Sequence, residues 1–219
     1  MHSTTDTDNA ELFAKNLSCT RGENLLFENL DLEVNLGQCL HLIGPNGSGK
    51  TSLLRILCGL NQSDAGEVRW QQKSILHHPS YTQDCFYLGH KDALKNELTA
   101  IENLRFIQSL DGVVDEDRLD DVLAQMQILQ CADLPVQALS FGQRRRLAFA
   151  KLLLVSRKLW VLDEPFTGID EKGRQLIENL CVAHLRENGS IILTHHQGLK
   201  SSDLNVYLAE LDISQFSTN

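Results

Sequence analysis

The stretch GPNGSGKT, at residues 44–51, decides the fold of this chain. It matches the pattern GxxxxGK[ST], in which the backbone N–H groups of a glycine-rich loop surround a phosphate. The apolar run QCLHLI, at residues 38–43, predicts a buried strand immediately before the loop. After the loop, apolar side chains at helical spacing predict the packing face of a helix that begins near Lys50: Leu53, Leu54, Ile56 and Leu57. An ordinary glycine-rich turn lacks this combination, so the sequence predicts a strand, loop and helix that bind a nucleoside triphosphate.

The residues of this loop have distinct expected roles. Glycine at three positions allows the backbone to turn its N–H groups inward, and the helix N-terminus adds the positive end of its dipole. Lys50 is expected to reach the β and γ phosphates, and Thr51 is expected to ligate Mg²⁺. The residues predicted to contact the nucleotide here are Gly44, Pro45, Asn46, Gly47, Ser48, Gly49, Lys50, Thr51 and Ser52.

The composition is that of a globular chain with an acidic charge balance. The chain has 219 residues, of which 42% are hydrophobic, enough for the core of one large domain. Its formal net charge of -9 argues against a nucleic-acid partner, because binding the phosphate backbone needs a basic surface. No apolar run approaches the ~20 residues that span a bilayer, and the polar start lacks the segments of a signal peptide. We therefore expect a cytoplasmic protein with no transmembrane segment, in which residues 1–10 form a disordered leader.

Neither the cysteines nor the histidines form a recognisable metal or haem motif. The six cysteines are scattered, with no CxxC pair and no CxxCH, so free and mostly buried thiols are expected. The run HHP at residues 77–79 predicts a turn rather than a haem ligand, because short histidine tracts have little specificity.

The pattern of apolar residues divides the chain into two kinds of structure. NLDLEVN, at residues 29–35, alternates apolar and polar side chains, and EVRWQQK continues this β pattern after a turn at residues 64–66. An antiparallel β layer is therefore predicted. From Thr99 the pattern becomes helical: Thr99 and Glu102 form a capping box, and apolar residues recur at helical spacing, namely Leu119, Val122, Leu123 and Met126. A helical insertion is predicted at residues 99–134.

Two acidic residues close a second apolar run, LWVLDEP. KLWVLDEP and GSIILTHH are separated by a helix-like stretch, the alternation of strand and helix that is typical of a parallel sheet. Asp163 and Glu164 then lie at the carboxyl end of a buried strand, where open α/β sheets bind ligands. Asp163 is a candidate Mg²⁺ ligand, and Glu164 a candidate to polarise an attacking water.

LSFGQ, at residues 139–143, is the third motif. Ser140 and Gln143 form a capping box, so Ser140 and the N–H of Gly142 are expected at a helix N-terminus suited to an anion. With the loop at residues 44–51, LWVLDEP and the TGID stretch at residues 167–170, this motif makes the chain resemble the nucleotide-binding subunits of ABC transporters. The resemblance covers nearly the whole chain. It implies an α/β P-loop NTPase of the ABC ATPase type, with a mixed sheet core, an antiparallel β subdomain and a helical subdomain.

The resemblance also implies an assembly and a set of residue roles. A single ABC ATPase domain at residues 11–219, with its helical subdomain at roughly residues 91–155, would pair head to tail with a second copy. ATP and Mg²⁺ would then lie between the phosphate loop of one copy and Ser140, Gly142 and Gln143 of the other. Asp170 would sense the opposite site. Integral membrane subunits would be the partners, at the cytoplasmic face of the bacterial inner membrane.

Three further positions have roles implied by the resemblance, with alternatives that stay open. The family's switch histidine corresponds to His195 or His196, and the spacing from the acidic pair favours His196. His90 takes the place of a glutamine that ligates Mg²⁺ and couples to the membrane partner; an imidazole lacks the paired donor and acceptor of an amide. Arg21 stands where an aromatic residue stacks on adenine, and it either stacks on the purine through its guanidinium plane or is a solvated arginine.

Within that family, GH at residues 89–90, TAIENLRF and LWVLDEPFTGID most resemble the ATP-binding subunits of the bacterial haem exporters of cytochrome c maturation. This resemblance implies ATP hydrolysis that drives release of a haem-loaded periplasmic chaperone. Three alternatives remain at this stage, and the first is the ATPase subunit of another ABC transporter. A soluble ABC-type ATPase acting on ribosomes or DNA is disfavoured by the acidic charge and the lack of sustained heptads. A non-catalytic nucleotide switch is disfavoured by the intact acidic pair.

Overall fold

A computed structural model describes residues 10–110, 112, 114–195 and 202–217. These residues form two compact units, of which the first takes the described residues among 1–87, 158–165 and 181–219, and the second takes those among 88–157 and 166–180. The strands are β1 (Ala10–Arg21), β2 (Asn24–Asn35), β3 (Cys39–Ile43), β4 (Ala65–Trp70), β5 (Lys73–Ser74), β6 (Cys85–Leu88), β7 (Leu159–Asp163), β8 (Ser190–Thr194) and β9 (Leu208–Asp212). The α-helices are α1 (Lys50–Leu57), α2 (Tyr81–Asp84), α3 (Ala100–Leu110), α4 (Glu116–Gln125), α5 (Phe141–Leu154), α6 (Glu171–Arg186) and α7 (Ser202–Asn205).

The predicted antiparallel layer is a four-stranded sheet in the order β2-β1-β4-β5. The alternating side chains of β2 face as expected, with Leu30, Leu32 and Val34 buried against the core. The prediction was wrong at both ends of the EVRWQQK segment. Ala65 and Gly66 already belong to β4, and Gln71 and Gln72 leave it to form a hairpin turn to β5, with φ of 48° and 65°. Two consecutive positive φ angles are the geometry of a tight hairpin turn, although glutamine seldom adopts them.

Gly66 is the one position in this sheet that requires glycine. Its φ is +85°, and a Cβ there would lie 2.4 Å from the carbonyl oxygens of Lys15 and Asn16 on β1. The register between β1 and β4 shifts in the same place, between Lys15 and Ser18. A bulge with a close backbone approach therefore replaces the turn that the sequence predicts at this point.

The second sheet of the first unit contains five strands in the order β6-β7-β8-β3-β9. β7 pairs with β8, β8 with β3, and β3 with β9, all in parallel, and every residue of β7 and β8 is buried. Parallel strands covered on both faces read as continuous apolar runs, which explains why these strands were predictable. In the register, Thr194 at the end of β8 lies opposite Asp163 on one side and Leu42 on the other. The phosphate loop that follows β3 and the acidic pair that follows β7 therefore leave the same edge of the sheet.

Helix α1 packs its predicted apolar face into the main core of the first unit. Leu53, Leu54 and Leu57 are completely buried there, and Ile56 nearly so. Burying a leucine side chain contributes about 1.5–3 kcal/mol, so this face fixes the helix that carries Lys50 and Thr51 at its first turn.

The second unit contains the helical insertion that the sequence predicts. The capping box at its start is confirmed, because the Thr99 N–H donates to Glu102 Oε2 at 2.8 Å and the Glu102 N–H donates to Thr99 Oγ1 at 3.2 Å. Helix α4 buries the predicted apolar stripe, and Met126 follows it as a buried C-cap residue. Among the described residues, none of the helices has both the length and the apolar content needed to cross a bilayer.

Candidate functional site

The phosphate loop joins the end of β3 to the start of α1, as predicted. Lys50 is the first residue of the helix and is 8% exposed. Its ammonium donates to the carbonyl oxygens of Gly44 and Pro45 at 2.7 and 2.8 Å, so the side chain folds back over its own loop. Burial lowers the pKa of Lys50, and the nearby Glu164 and Asp163 carboxylates oppose that fall. The loop therefore holds a cation at its centre, close to the acidic pair.

The loop backbone has the conformation that encloses an anion. Gly47 and Gly49 have φ of +85° and +97°. A Cβ on Gly49 would lie 3.0 Å from Leu26 Cβ on β2, whereas open space surrounds the corresponding position on Gly47. Ser48 Oγ is buried and has no hydrogen-bond partner within the described part of the chain. Glycine at these positions leaves the loop concave, and a buried hydroxyl in its wall suits a polar ligand.

Asp163 is the centre of a buried hydrogen-bond network. It is 3% exposed, and its two carboxylate oxygens accept from different hydroxyls. Thr51 Oγ1 donates to Asp163 Oδ2 at 2.9 Å, and Thr194 Oγ1 donates to Asp163 Oδ1 at 2.8 Å. The two predicted Mg²⁺ ligands, Thr51 and Asp163, are thus in direct contact. Thr194 is a member of this site that the sequence did not single out.

Thr194 also positions the backbone of Glu164. The Glu164 N–H donates to Thr194 Oγ1 at 2.9 Å, so one buried hydroxyl serves both members of the acidic pair. Glu164 has φ of +50°, a left-handed conformation that is uncommon for a residue with a Cβ. Such a conformation persists only where the surrounding structure holds it, and here it turns the chain sharply at the end of β7.

A cavity of about 640 Å³ joins the phosphate loop to the acidic pair. This volume lies within the range of about 300–1,000 Å³ that is typical of small-molecule sites. Its walls contain most of the first unit's residues that were predicted to contact the nucleotide or Mg²⁺, and also Leu26. The residues that line it are Arg21, Leu26, Asn46, Gly47, Gly49, Lys50, Thr51, Ser52, Asp163 and Glu164. Arg21 reaches the cavity because it is the last residue of β1. The hydroxyl and carboxylate oxygens of Thr51 and Asp163 are the hard donors that Mg²⁺ prefers, so the residues present fit this ion.

The histidines near the end of β8 are only partly described. His196 lies outside the described residues. The carbonyl oxygen of His195 accepts from Nε2 of His41 at 3.1 Å, while Nδ1 of His41 lies 3.3 Å from Glu210 Oε1 on β9. His41 is 2% exposed and belongs to β3, the strand before the phosphate loop. It fixes the backbone at the residue before His196, a contact that the sequence did not predict.

His90 lies in an exposed loop of the second unit that two buried cations of α5 hold in place. Arg145 Nη1 donates to Asp92 Oδ1 at 2.7 Å and to the Gly89 carbonyl at 3.3 Å. Lys151 Nζ donates to the carbonyls of Asp92 and Ala93 at 2.7 and 3.3 Å. Burial lowers the pKa of Lys151 to about 8, although Asp92 opposes the fall. The residues on both sides of His90 are therefore fixed by α5.

The N-terminus of α5 has the predicted capping box. The Gln143 N–H donates to Ser140 Oγ at 3.2 Å, and the Ser140 N–H donates to Gln143 Oε1 at 2.8 Å. Phe141, the first residue of α5, is 56% exposed. A Cβ on Gly168 would lie 2.2 Å from its ring, so Phe141 packs directly on the backbone of the TGID stretch.

Asp170 closes that stretch as a cap for α6, because the N–H of Gly173 donates to its Oδ1 at 2.9 Å. The HHP run at residues 77–79 ends a 3₁₀ helix and begins a turn, as predicted. All six cysteines are free, and four of them are buried, which also confirms the prediction.

Comparisons with known proteins agree with this geometry. Residues 27–167 match the ABC transporter family. The chain is 46% identical over 198 residues to a protein of Nitrosomonas europaea called cytochrome c biogenesis ATP-binding export protein CcmA, with 90% of this chain and 93% of that protein covered. It is 43% identical over 190 residues to the protein of the same name from Vibrio cholerae, with 86% and 92% covered.

Solved structures show the same fold. The ATP-binding protein of a putative ABC transporter from Pyrococcus furiosus superposes with a TM-score of 0.80 at 25% identity, over 94% of this chain and 99% of that one. An ATP-binding cassette solved as a dimer with ADP and Pi superposes with a TM-score of 0.76 at 21% identity, over 92% and 94%. The family match, the shared fold and the loop, acidic pair and capped serine together show that this chain belongs to the ABC transporter family, among its cytochrome c biogenesis ATP-binding export proteins.

Proposed function

We propose that this chain is the ATP-hydrolysing subunit of the haem exporter of cytochrome c maturation, at the cytoplasmic face of the bacterial inner membrane. Hydrolysis would drive the release of a haem-loaded periplasmic chaperone. The observation that carries the proposal is the convergence of Lys50, Thr51, Asp163 and Glu164 on one cavity. The relatives in Nitrosomonas europaea and Vibrio cholerae, whose names contain cytochrome c biogenesis and ATP-binding export, support the narrower assignment.

The chain's own groups divide the work of hydrolysis. Lys50 exchanges its contacts with two loop carbonyls for contacts with the β and γ phosphate oxygens, and the inward N–H groups of the loop neutralise further charge. Glu164 orients the attacking water and accepts its proton, since a carboxylate at the cavity wall is suited to general-base work. Arg21, on the same wall, stacks its guanidinium plane on the purine.

Thr51 and Asp163 would hold Mg²⁺ through their oxygen atoms. The ion supplies positive charge that stabilises the phosphate oxygens as the terminal phosphate leaves. Thr51 Oγ1 donates its hydrogen to Asp163 Oδ2, and the lone pairs of the same oxygen would stay available to the ion while that hydrogen bond persists. Thr194 holds the other carboxylate oxygen of Asp163 in place.

A second copy of the chain would complete each site. Ser140, Gly142 and Gln143 lie at a capped helix N-terminus whose remaining N–H groups and positive dipole end suit the γ phosphate of ATP bound to the other copy. His196 is proposed to contact that phosphate, and Asp170 to sense the opposite site. His90, in its loop anchored by α5, is proposed to face the integral membrane subunits and to approach Mg²⁺ during closure.

The first test measures ATP turnover by the purified full-length chain. Lys50→Ala and Glu164→Gln should each lower turnover by roughly 100-fold or more, in line with single catalytic groups. Glu187→Gln, which changes an exposed glutamate directly after the last residue of α6, is the matched control and should hydrolyse ATP normally. Normal turnover by Glu164→Gln would show that its assigned role is wrong.

The second test identifies the membrane partners. The chain is used to recover proteins from detergent-solubilised inner membranes, with Lys50→Ala as a comparison for ATP dependence. Recovery of the membrane proteins of cytochrome c maturation is expected. Recovery of an unrelated permease instead would contradict the haem-exporter assignment and leave only an ABC transporter ATPase.

A further inference from the structure

Two thiols, one of them at the end of α1 opposite to Lys50, take no part in the proposed hydrolysis. The Sγ atoms of Cys58 and Cys85 lie 3.9 Å apart. Cys58 is the C-cap residue of α1, the helix that begins with Lys50, and Cys85 is the first residue of β6, the neighbour of β7 in the sheet. Both residues are half-buried, whereas the other four cysteines are buried.

The positions of the two thiols are fixed by their neighbours in the chain. Tyr81 Oη donates to the Leu57 carbonyl at 2.5 Å, which ties the segment before Cys85 to the residue before Cys58. Trp70 Nε1 donates to Asp84 Oδ2 at 2.9 Å and so holds the residue adjacent to Cys85 from β4. Because both backbones are held in this way, the thiols stay near each other while their side chains rotate.

We propose that Cys58 and Cys85 form a site of reversible oxidative modification, at which a small-molecule disulfide of the glutathione class converts the two thiols into one disulfide. A disulfide needs an S–S distance of about 2.05 Å, so the sulfur atoms must approach by roughly 2 Å. In a cytoplasmic setting, a disulfide is usually transient and sensitive to the redox state rather than a permanent structural bond.

The chemistry balances with the glutathione-class disulfide as the oxidant. The Cys85 thiolate attacks one sulfur of the oxidant, and the other sulfur leaves as a thiolate with the bonding electron pair. Cys58 then loses its proton to water and attacks Cys85 Sγ, which expels the second small thiolate. The protein loses two electrons and two protons, and the oxidant becomes two thiols. Burial and the neighbouring Cys85 raise the pKa of Cys58, so fewer Cys58 thiols are ionised than in a solvated cysteine.

The bond would join the end of α1 to the start of β6 and close the loop at residues 59–84. Cross-links of this length stabilise a fold mainly by restricting its unfolded chain. For a chain of this size, the expected rise in Tm is roughly 7–14 °C. Oxidation would thereby stabilise the unit that carries the phosphate loop against unfolding, and reduction would restore its ordinary stability.

The test incubates the purified full-length chain with oxidised glutathione, followed by alkylation of free thiols and peptide mapping by mass spectrometry. We expect a linked peptide containing Cys58 and Cys85, lighter than the two separate peptides by two hydrogen atoms. Tm should rise on oxidation, and dithiothreitol should reverse the rise. Cys58→Ser and Cys85→Ser should each abolish the shift, while Cys19→Ser, compared with its own reduced form, should keep it.

Two outcomes would overturn the proposal. One is alkylation of both Cys58 and Cys85 after exposure to oxidant, because a disulfide would protect them. The other is a reversible Tm shift that survives in Cys58→Ser, because a different pair of thiols would then be responsible. Since each variant is compared with its own reduced form, a loss of stability caused by the substitution itself does not affect either result.

Discussion

Replacing Thr194 by valine should remove the two hydrogen bonds that join the end of β8 to Asp163 and Glu164. Valine keeps the shape of threonine and removes only the hydroxyl, which is completely buried. That hydroxyl donates to Asp163 Oδ1 at 2.8 Å and accepts from the Glu164 N–H at 2.9 Å. The substitution therefore removes one donor to Asp163 and the Thr194 acceptor of the Glu164 N–H, at a backbone position that already has φ of +50°.

The magnitude follows from these two contacts. A hydrogen bond to a charged acceptor contributes about 1.5–3 kcal/mol, and one between neutral groups contributes about 0.5–1.5 kcal/mol. We expect the free energy of unfolding to fall by roughly 2–4 kcal/mol in total. Turnover should fall by about 100-fold, because a catalytic group displaced by about 1 Å loses that much. The phosphate loop is untouched, so the KM for ATP should change little.

The assay compares kcat and KM for ATP in the wild-type chain, Thr194→Val and Thr194→Ser. Serine retains the hydroxyl and loses only a methyl group, so Thr194→Ser should keep most of the turnover. Chemical denaturation of the same three proteins gives the free energy of unfolding. If Thr194→Val turned over ATP as fast as Thr194→Ser, the hydroxyl would have no role in placing Glu164, and the reasoning would be refuted.

Three other predictions concern residues outside the acidic pair. Arg145→Met should lower the free energy of unfolding by about 3–5 kcal/mol, because the partly buried Asp92 carboxylate loses the guanidinium that lies 2.7 Å away. Denaturation of the double variant Arg145→Met with Asp92→Leu should show partial recovery of that free energy. Burial lowers the pKa of His184 to about 4, so as pH falls through about 6.5 the unfolded chain binds a proton that the folded chain does not bind. Denaturation from pH 7 to pH 5 should therefore show the free energy of unfolding falling by about 2 kcal/mol, a loss that is absent in His184→Phe. Gly168→Ala should lower the free energy of unfolding, because the added Cβ would meet the Phe141 ring and the residue has φ of +74°. Adding Phe141→Gly should recover the part of the loss that is due to the ring, and a double variant no more stable than Gly168→Ala would contradict the contact.

The fold was predictable where the apolar residues of a segment follow the pattern of a single kind of secondary structure, or where a motif identifies the elements beside it. β7 and β8 are buried on both faces and read as apolar runs, while the phosphate loop identifies the strand before it and the helix after it. The bulge at Gly66 was misread as a turn because a glycine with positive φ serves in either role. β1 and β9 were not predicted, since β1 bends through several register shifts and β9 is only half-buried, which weakens the apolar pattern of each.

The candidate site was predictable from motifs but not from the contacts that support it. Lys50, Thr51 and the acidic pair carry local patterns, so their convergence followed from the topology of a parallel sheet. Thr194 and His41 lie in ordinary strands, and only the pairing of β8 with β7 and β3 brings them to the site. Arg145 is one of three consecutive arginines, and the sequence did not identify it as the one that the fold buries to 2% exposure against Asp92. Contacts between residues far apart in the chain leave no local signal.

The most direct test of the central claim is native mass spectrometry of the Glu164→Gln chain with MgATP. If Glu164 has its proposed role, this variant should bind ATP without hydrolysing it, and we then expect an assembly of two chains that holds two ATP molecules. The assembly should disappear when Ser140→Arg, which would block the cap, is added. A species of one chain with one ATP under the same conditions, unaffected by Ser140→Arg, would contradict the claim that two copies enclose the nucleotide.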